Sequence, residues 1–390
     1  MNFIPLNRPD IRNHDFAALE AALQALAEED TSPIRELERL ASKITDRPHA
    51  VAATTAGVAL EAAMLSVGLN VGDEVICPAF APARLVAAIV RSGGIPCFVD
   101  VDSRTGGMRL EAVEAAITDR TRALAAIAPW TAPSVLEELA SLSRKYEVPL
   151  IEDAIESLGT TMPSDRAARF GVLAVIGLGR ESPATAAGGG IIVTHDERMA
   201  AMCREILMEG RATPDDVEED DDSQDQEGWC HVRAGLDGRL DVLRAAVGIG
   251  TLERIEETLA ARREVADRYI ARLGGEADLM ISSPPPGVLP SWTAFPVRLD
   301  ERFVLEDRDS IIRGMRRHDI GVTAGWALGP ALPIARHGGS PEDRWPFAAR
   351  LASRTMLLPC HSFVTPADVD IICQTLLLMM KQTVFSRGDQ

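Results

Sequence analysis

Apolar residues recur at helical spacing between Asp15 and Ala27 (Phe16, Leu19, Ala22, Leu23 and Leu26), which predicts an amphipathic helix. A second helix is predicted from Ser32, with Pro33 in its first turn, to about Lys43. From there the pattern alternates. Short apolar runs at His49 to Ala53, Glu74 to Cys77, Ile95 to Val99 and Arg122 to Ala128 predict strands. Helical stretches separate them at Ala56 to Val67, Ala83 to Arg91, Leu110 to Ile117 and Ser134 to Tyr146. Three more strands are predicted at Val148 to Ile151, Val172 to Leu178 and Gly188 to Thr194. Such alternation makes an α/β fold: a mostly parallel seven-stranded sheet flanked by helices.

A helix from Asp196 to Met208 follows. One long amphipathic helix is then predicted from Asp241 to Leu273, bridging to a second domain. Gly274 to Pro290, rich in Gly, Pro and Ser, reads as a loop. A strand at Ala294 to Leu299, a helix at Arg308 to His318, a strand near Ile320 to Thr323 and a helix at Pro366 to Lys381 make a smaller C-terminal α+β domain. The expected division is 1–240 for the large domain and 241–390 for the small one.

In open parallel sheets, ligands bind beyond the C-terminal ends of the strands. Glu152 and Asp153 stand at such an end, facing the irregular stretch Gly179 to Ala187. The structural alternative is that Asp153 caps the next turn, or pairs with an arginine such as Arg180 or Arg84. Charge narrows the choice of partners. A net charge of −18 opposes binding to a phosphate backbone, so no nucleic acid is expected. Much of the excess lies in the segment 213–228, where Asp215 to Asp222 is nearly continuous acid. Like charges this dense favour a solvated loop, and no ligand spacing for a metal accompanies them. No apolar run reaches the roughly 18 residues of a membrane span. The N-terminus has no secretory pattern, and the six cysteines are scattered without a CxxC pair. A cytoplasmic protein with reduced thiols is expected. The chain has only three lysines, Lys43, Lys145 and Lys381.

Gly72-Asp73-Glu74-Val75-Ile76-Cys77-Pro78-Ala79-Phe80, Pro96-Cys97-Phe98-Val99-Asp100-Val101-Asp102, Ile151-Glu152-Asp153-Ala154 and Gly189-Gly190 occur in an order that resembles the DegT/StrS family of sugar aminotransferases. Gly235 to Leu240 and Leu358-Pro359 fit it too. The resemblance implies fold type I, pyridoxal phosphate (PLP) chemistry and a homodimer with two sites at the subunit interface. It also locates departures. The Schiff-base lysine falls on Ser182, and no lysine occurs between Lys145 and Lys381. A transaminase needs that amine. A dehydratase branch uses histidine there, but the nearest in sequence is His195, beyond the strand. The aromatic that stacks on the pyridine ring falls on Pro82, the phosphate-binding serine on Gly177, and the glutamine near the phenolate on Glu156. The asparagine that reaches the phosphate from the neighbouring subunit falls on Asp237. A carboxylate about 4 Å from a phosphate costs on the order of 4 kcal/mol per unit charge at an effective dielectric near 20. The backbone cradle at Ala56 and Gly57 is retained, as are Arg239, which could instead pair with Asp237, and Asp153, the partner of the pyridine nitrogen.

Three readings follow. The first is a family member with a degenerate PLP site, a pseudoenzyme. It would be an accessory or regulatory partner of an active paralogue, or a binder of a sugar nucleotide or other small molecule. PLP or its amine form PMP would bind only non-covalently. The second is an enzyme of different chemistry in the same cleft, with Asp153, Glu156 and Asp237 as acids or bases and Ser182 or Cys77 as nucleophile. The third is an aminotransferase acting on a keto sugar, with its lysine supplied by a partner chain. An apolar patch near Phe80 to Val90 would be an aggregation risk in a monomer, in keeping with the homodimer that the resemblance implies.

Overall fold

The computed structural model describes residues 3–130, 135–212, 230–281, 283–335 and 341–388. The acidic segment at 213–228 lies outside them. The central sheet has seven strands: β1 (His49–Ala53), β2 (Glu74–Pro78), β3 (Ile95–Val99), β4 (Thr121–Ile127), β5 (Leu150–Asp153), β6 (Leu173–Gly177) and β7 (Gly190–Thr194). Their spatial order is β1, β7, β6, β5, β4, β2, β3. Only β7 runs against the others, pairing antiparallel with both β1 and β6. The strands read as apolar runs because both faces are covered; β2, β6 and β7 are buried throughout.

The helices that cover the sheet begin with α1 (Asn13–Ala27), α2 (Ser32–Thr45), α3 (Ala56–Ser66) and α4 (Ala83–Arg91). Then come α5 (Leu110–Ala116), α6 (Leu136–Tyr146) and α7 (Glu197–Leu207). α3 is apolar nearly all round, and Ala59, Leu60, Ala62, Ala63 and Met64 are fully buried beneath the sheet. Thr55 stops it at the front, its Oγ1 accepting the Val58 N–H at 3.1 Å.

The predicted bridging helix is two helices, α8 (Val242–Glu253) and α9 (Ile255–Leu273), which break at Arg254. The Arg254 guanidinium is pulled out of the helical pattern by Asp15 on α1 and by the Asp10 carbonyl. The predicted loop at Gly274 to Pro290 contains a short strand, β8 (Leu279–Ile281). It joins β9 (Phe295–Leu299), β10 (Thr323–Ala324) and β11 (Thr355–Leu358) in a second sheet ordered β8, β9, β11, β10. α10 (Leu305–Arg317), α11 (Pro346–Arg354) and α12 (Pro366–Gly388) belong to this C-terminal α+β part. Tyr269, Trp292, Phe295, Phe303, Ile311, Met356 and Leu376 form its own core. The expected surface patch at Phe80 to Val90 is absent. Phe80, Ala81, Leu85, Val86, Ala88 and Ile89 are consumed in the molecule's main core, because α4 lies flat on the sheet.

Candidate functional site

Asp153 is the last residue of β5, buried, with β4 and β6 on either side. Its carboxylate has two partners. Oδ1 accepts the Ile155 N–H at 3.2 Å, closing the turn that follows the strand. Both oxygens accept from Arg84 Nη2, at 3.2 Å each. Arg84 is in the first turn of α4, and the β4–β2 neighbourhood carries that turn to the tip of β5. Its Nη1 donates to Glu156 Oε1 at 2.9 Å, and Nη2 also contacts the second Glu156 oxygen. One guanidinium therefore bridges two carboxylates three residues apart. Of the two candidate arginines, Arg84 makes the pair and Arg180 does not.

Burial decides the electrostatics of this cluster. The Asp153 side chain is fully buried and Glu156 is 8% exposed, while Arg84 retains 26%. Burial pushes the Asp153 carboxyl up, to about 6, against the pull of Arg84, and the Glu156 charge adds to the rise. Burial also works against the charge on Arg84, but the two carboxylates overcome it and hold the guanidinium protonated. Glu152, one residue before Asp153, is a scaffold acid. It accepts the Ala168 N–H at 2.7 Å and the Phe170 N–H at 3.2 Å.

Ser182 lies in the irregular segment between β6 and β7, only 2% exposed. Its Oγ accepts the Ala184 N–H at 3.3 Å, and no histidine stands beside it among the described residues. Its carbonyl accepts from Arg262 Nη2 at 2.9 Å, while Arg262 Nη1 reaches the carbonyls of Glu181 and Trp292. Arg262, on α9, is thus a buried cation held by carbonyls alone, and burial pushes it down to about 10. It pins the Ser182 segment to α9. Cys77 is sealed inside the sheet and burial raises its thiol well above the usual range, so it is no nucleophile.

The other candidate positions divide. Gly177 ends β6 facing the Asp153 turn, and a Cβ there would meet Ile155 Cγ2 at 2.6 Å. Ile155 has taken the space a serine would need. Pro82 caps the N-terminus of α4, two residues before Arg84. The aromatic surface lies elsewhere. Phe80, Trp130 and Trp326 form a trio, with the two Trp rings 4.3 Å apart. Ala56 and Gly57 open α3, and the preceding Thr54 is claimed by Arg244 through its carbonyl and its hydroxyl. Asp237 and Arg239 are exposed in the segment before α8. No ion pair joins them to each other among the described residues; the backbone there makes extended bridges to Met208 and Ala53.

The carboxylate for the pyridine nitrogen is ion-paired, the serine position is filled by Ile155, and all three lysines are exposed on α2, α6 and α12. Sequence reasoning missed Ile155, Arg262 and the aromatic trio. Two of the chain's five tryptophans, Trp130 and Trp326, meet in that trio, and their scarcity was the available signal.

Comparison with known proteins supplies the family. The model of the DegT/DnrJ/EryC1/StrS aminotransferase family matches residues 9–377. A UDP-2-acetamido-2-deoxy-3-oxo-D-glucuronate aminotransferase of Pseudomonas aeruginosa is 26% identical over 348 residues, 88% of this chain and 89% of that one. Among solved structures, Spr1654 from Streptococcus pneumoniae in its PMP form has a TM-score of 0.88 at 20% identity, covering 99% of this chain and 100% of that chain. The aminotransferase TlmJ from Streptoalloteichus hindustanus has a TM-score of 0.84 at 22% identity, covering 98% of this chain and 100% of that chain. The architecture is that of these PLP aminotransferases.

Proposed function

The chain belongs to the DegT/DnrJ/EryC1/StrS aminotransferase family, and on that premise we propose that it is a member whose PLP site has been retired. It serves sugar-nucleotide or secondary-metabolite biosynthesis as a metabolite binder or as an accessory partner of an active paralogue, not as a transaminase itself. One observation carries this reading. A single guanidinium, that of Arg84, sits between Asp153 and Glu156, so the acid that would hold the pyridine nitrogen is already neutralised by the protein. Ser182 at the lysine position, and the exposure of every lysine, support it. A homodimer is part of the proposal, as is a mixed dimer with a paralogue. Among the described residues no helix is long and apolar enough to cross a membrane.

The test is a PLP titration of the purified protein, followed by absorbance and by mass after borohydride reduction. The expected outcome is no aldimine band and no adduct. A stoichiometric lysine adduct on this chain overturns the proposal. An adduct appearing only on an added paralogue supports the accessory role.

A further inference from the structure

We propose that His361 is a pH-sensitive latch: it holds the strap of residues 4–12 closed while its ring is neutral and releases the strap when the ring is protonated. The latch does not depend on how the Asp153 cluster is read. The strap runs from the C-terminal sheet to the junction of α8 and α9. At one end Ile4 makes a parallel bridge to Ile320, just before the edge strand β10. The Ile4 N–H donates to the Asp319 carbonyl at 2.8 Å, and the Gly321 N–H donates to the Ile4 carbonyl at 2.7 Å. A Cβ on Gly321 would lie 2.4 Å from the Leu6 nitrogen, so the strap lies directly on that backbone. At the other end the Asp10 carbonyl accepts from Arg254 Nη2 at 2.5 Å, and Arg12 pairs with Asp10 and Glu257.

His361 stands between these ends, in the segment after β11, and is 4% exposed. Its two ring nitrogens meet groups of opposite kind. Nε2 is 3.1 Å from the Pro5 carbonyl, which can only accept. Nδ1 is 3.3 Å from the Phe363 nitrogen, whose N–H can only donate. One species alone satisfies both contacts, the neutral ring with its proton on Nε2. A second proton, on Nδ1, sets donor against donor at Phe363. The charged groups that face the ring are Arg8 on the strap, Arg262 on α9 and Asp368 in the first turn of α12. The one acid among them is already engaged, since Asp368 accepts from the Thr365 N–H and hydroxyl. Burial, and after it the two cations, hold the ring's pKa below the ordinary 6.5, at about 4, against the pull of the Pro5 carbonyl. Release of the strap returns the ring to water, where it protonates more readily. Closure is therefore complete above about 6.5 and weakens as pH falls toward about 4, with the opening constant rising by up to about tenfold per pH unit. Opening frees the Asp319 carbonyl and the Gly321 N–H beside the edge of the C-terminal sheet, where another strand can add.

The experiment is hydrogen exchange of the full chain between about pH 5 and pH 7.5, read by mass spectrometry and corrected for the intrinsic pH dependence of amide exchange. Peptides carrying the Ile4 and Gly321 amides report the strap, and peptides from α3 report the core. Strap protection should fall by about five- to tenfold per pH unit below pH 6.5, while α3 is unchanged. His361→Gln keeps a side-chain N–H for the Pro5 carbonyl and removes the titration, so its strap protection should be flat with pH. His195→Gln, which alters an exposed histidine after β7, should behave as the wild type. A flat wild-type profile overturns the latch. So does a slope that survives His361→Gln, or a loss of protection that α3 shares. Should His361→Gln fail to fold, the wild-type strap and core profiles decide the question by themselves.

Discussion

At the scale of single residues, Arg84 does most to determine what the cleft can do. Removing one partner of a buried ion pair leaves the other charge uncompensated, at about 3–5 kcal/mol. Arg84→Met should therefore destabilise the protein by about 3 kcal/mol at pH 8, toward the low end because the guanidinium is partly exposed. The sign with pH is specific. The Asp153 carboxyl already stands above its ordinary range, so its share of stability is complete below that range and is lost as pH rises through about 6. Without Arg84 it rises further, and protonation relieves the variant. The deficit of Arg84→Met should shrink between pH 8 and pH 5 in denaturant melts; a deficit that grows on acidification would place the ion pair elsewhere. The sequence offered Arg84 and Arg180 equally as partners. Arg84 is 69 residues from Asp153 in the chain, and only the order of β2, β4 and β5 brings them together. Asp153, by contrast, was singled out by its place at the end of an apolar run, whereas Ser182 came only from the resemblance, by counting back from Gly189-Gly190.

At the scale of elements, the junction of α1, α8 and α9 shows what a hydrophobic period cannot report. The apolar positions from Leu243 to Leu259 run through Arg254 without interruption, so one helix was expected where two stand. The break is polar and tertiary: the Asp15 and Arg254 side chains are 1% and 9% exposed and in direct contact. Gly250 makes room, since a Cβ there would lie 2.3 Å from Asp15 Oδ1. Gly250→Ala should accordingly cost more than the usual gain from alanine in a helix, about 1 kcal/mol, can offset, with a lower melting temperature. Burial alone would raise the Asp15 carboxyl, but the hydrogen bonds from Arg254 and the Arg12 N–H outweigh it and hold it low. Its stabilisation is present above the ordinary carboxylate range and is lost as pH falls below it. Asp15→Asn should be less stable than the wild type at pH 7, with the gap closing toward pH 3. The short strands β8 and β11 escaped for a simpler reason. Three or four residues beside Gly, Pro and Ser carry too little alternation to register.

At the scale of the whole molecule, the strand–helix alternation sufficed for the large sheet, because its strands are buried on both faces and read as uninterrupted apolar runs. The surface was less legible. The apolar patch expected at Phe80 to Val90 is interior, and an exposed apolar stripe lies on α1, where Phe16, Leu23 and Leu26 are 64%, 54% and 53% exposed. They recur at the spacing of one helical face, while Asp15 and Ala22 turn inward. A dimer that buries this stripe would remove an aggregation liability from an otherwise acidic surface. Sedimentation at micromolar concentration should give about twice the 42.0 kDa chain mass, and Leu23→Glu should shift the protein toward monomer without changing its melting cooperativity. If the wild type sediments at the chain mass, α1 is free in the isolated protein and the paralogue becomes the partner to test. If Leu23→Glu remains dimeric, the subunits meet on another face, and the α1 stripe has to be covered by something else.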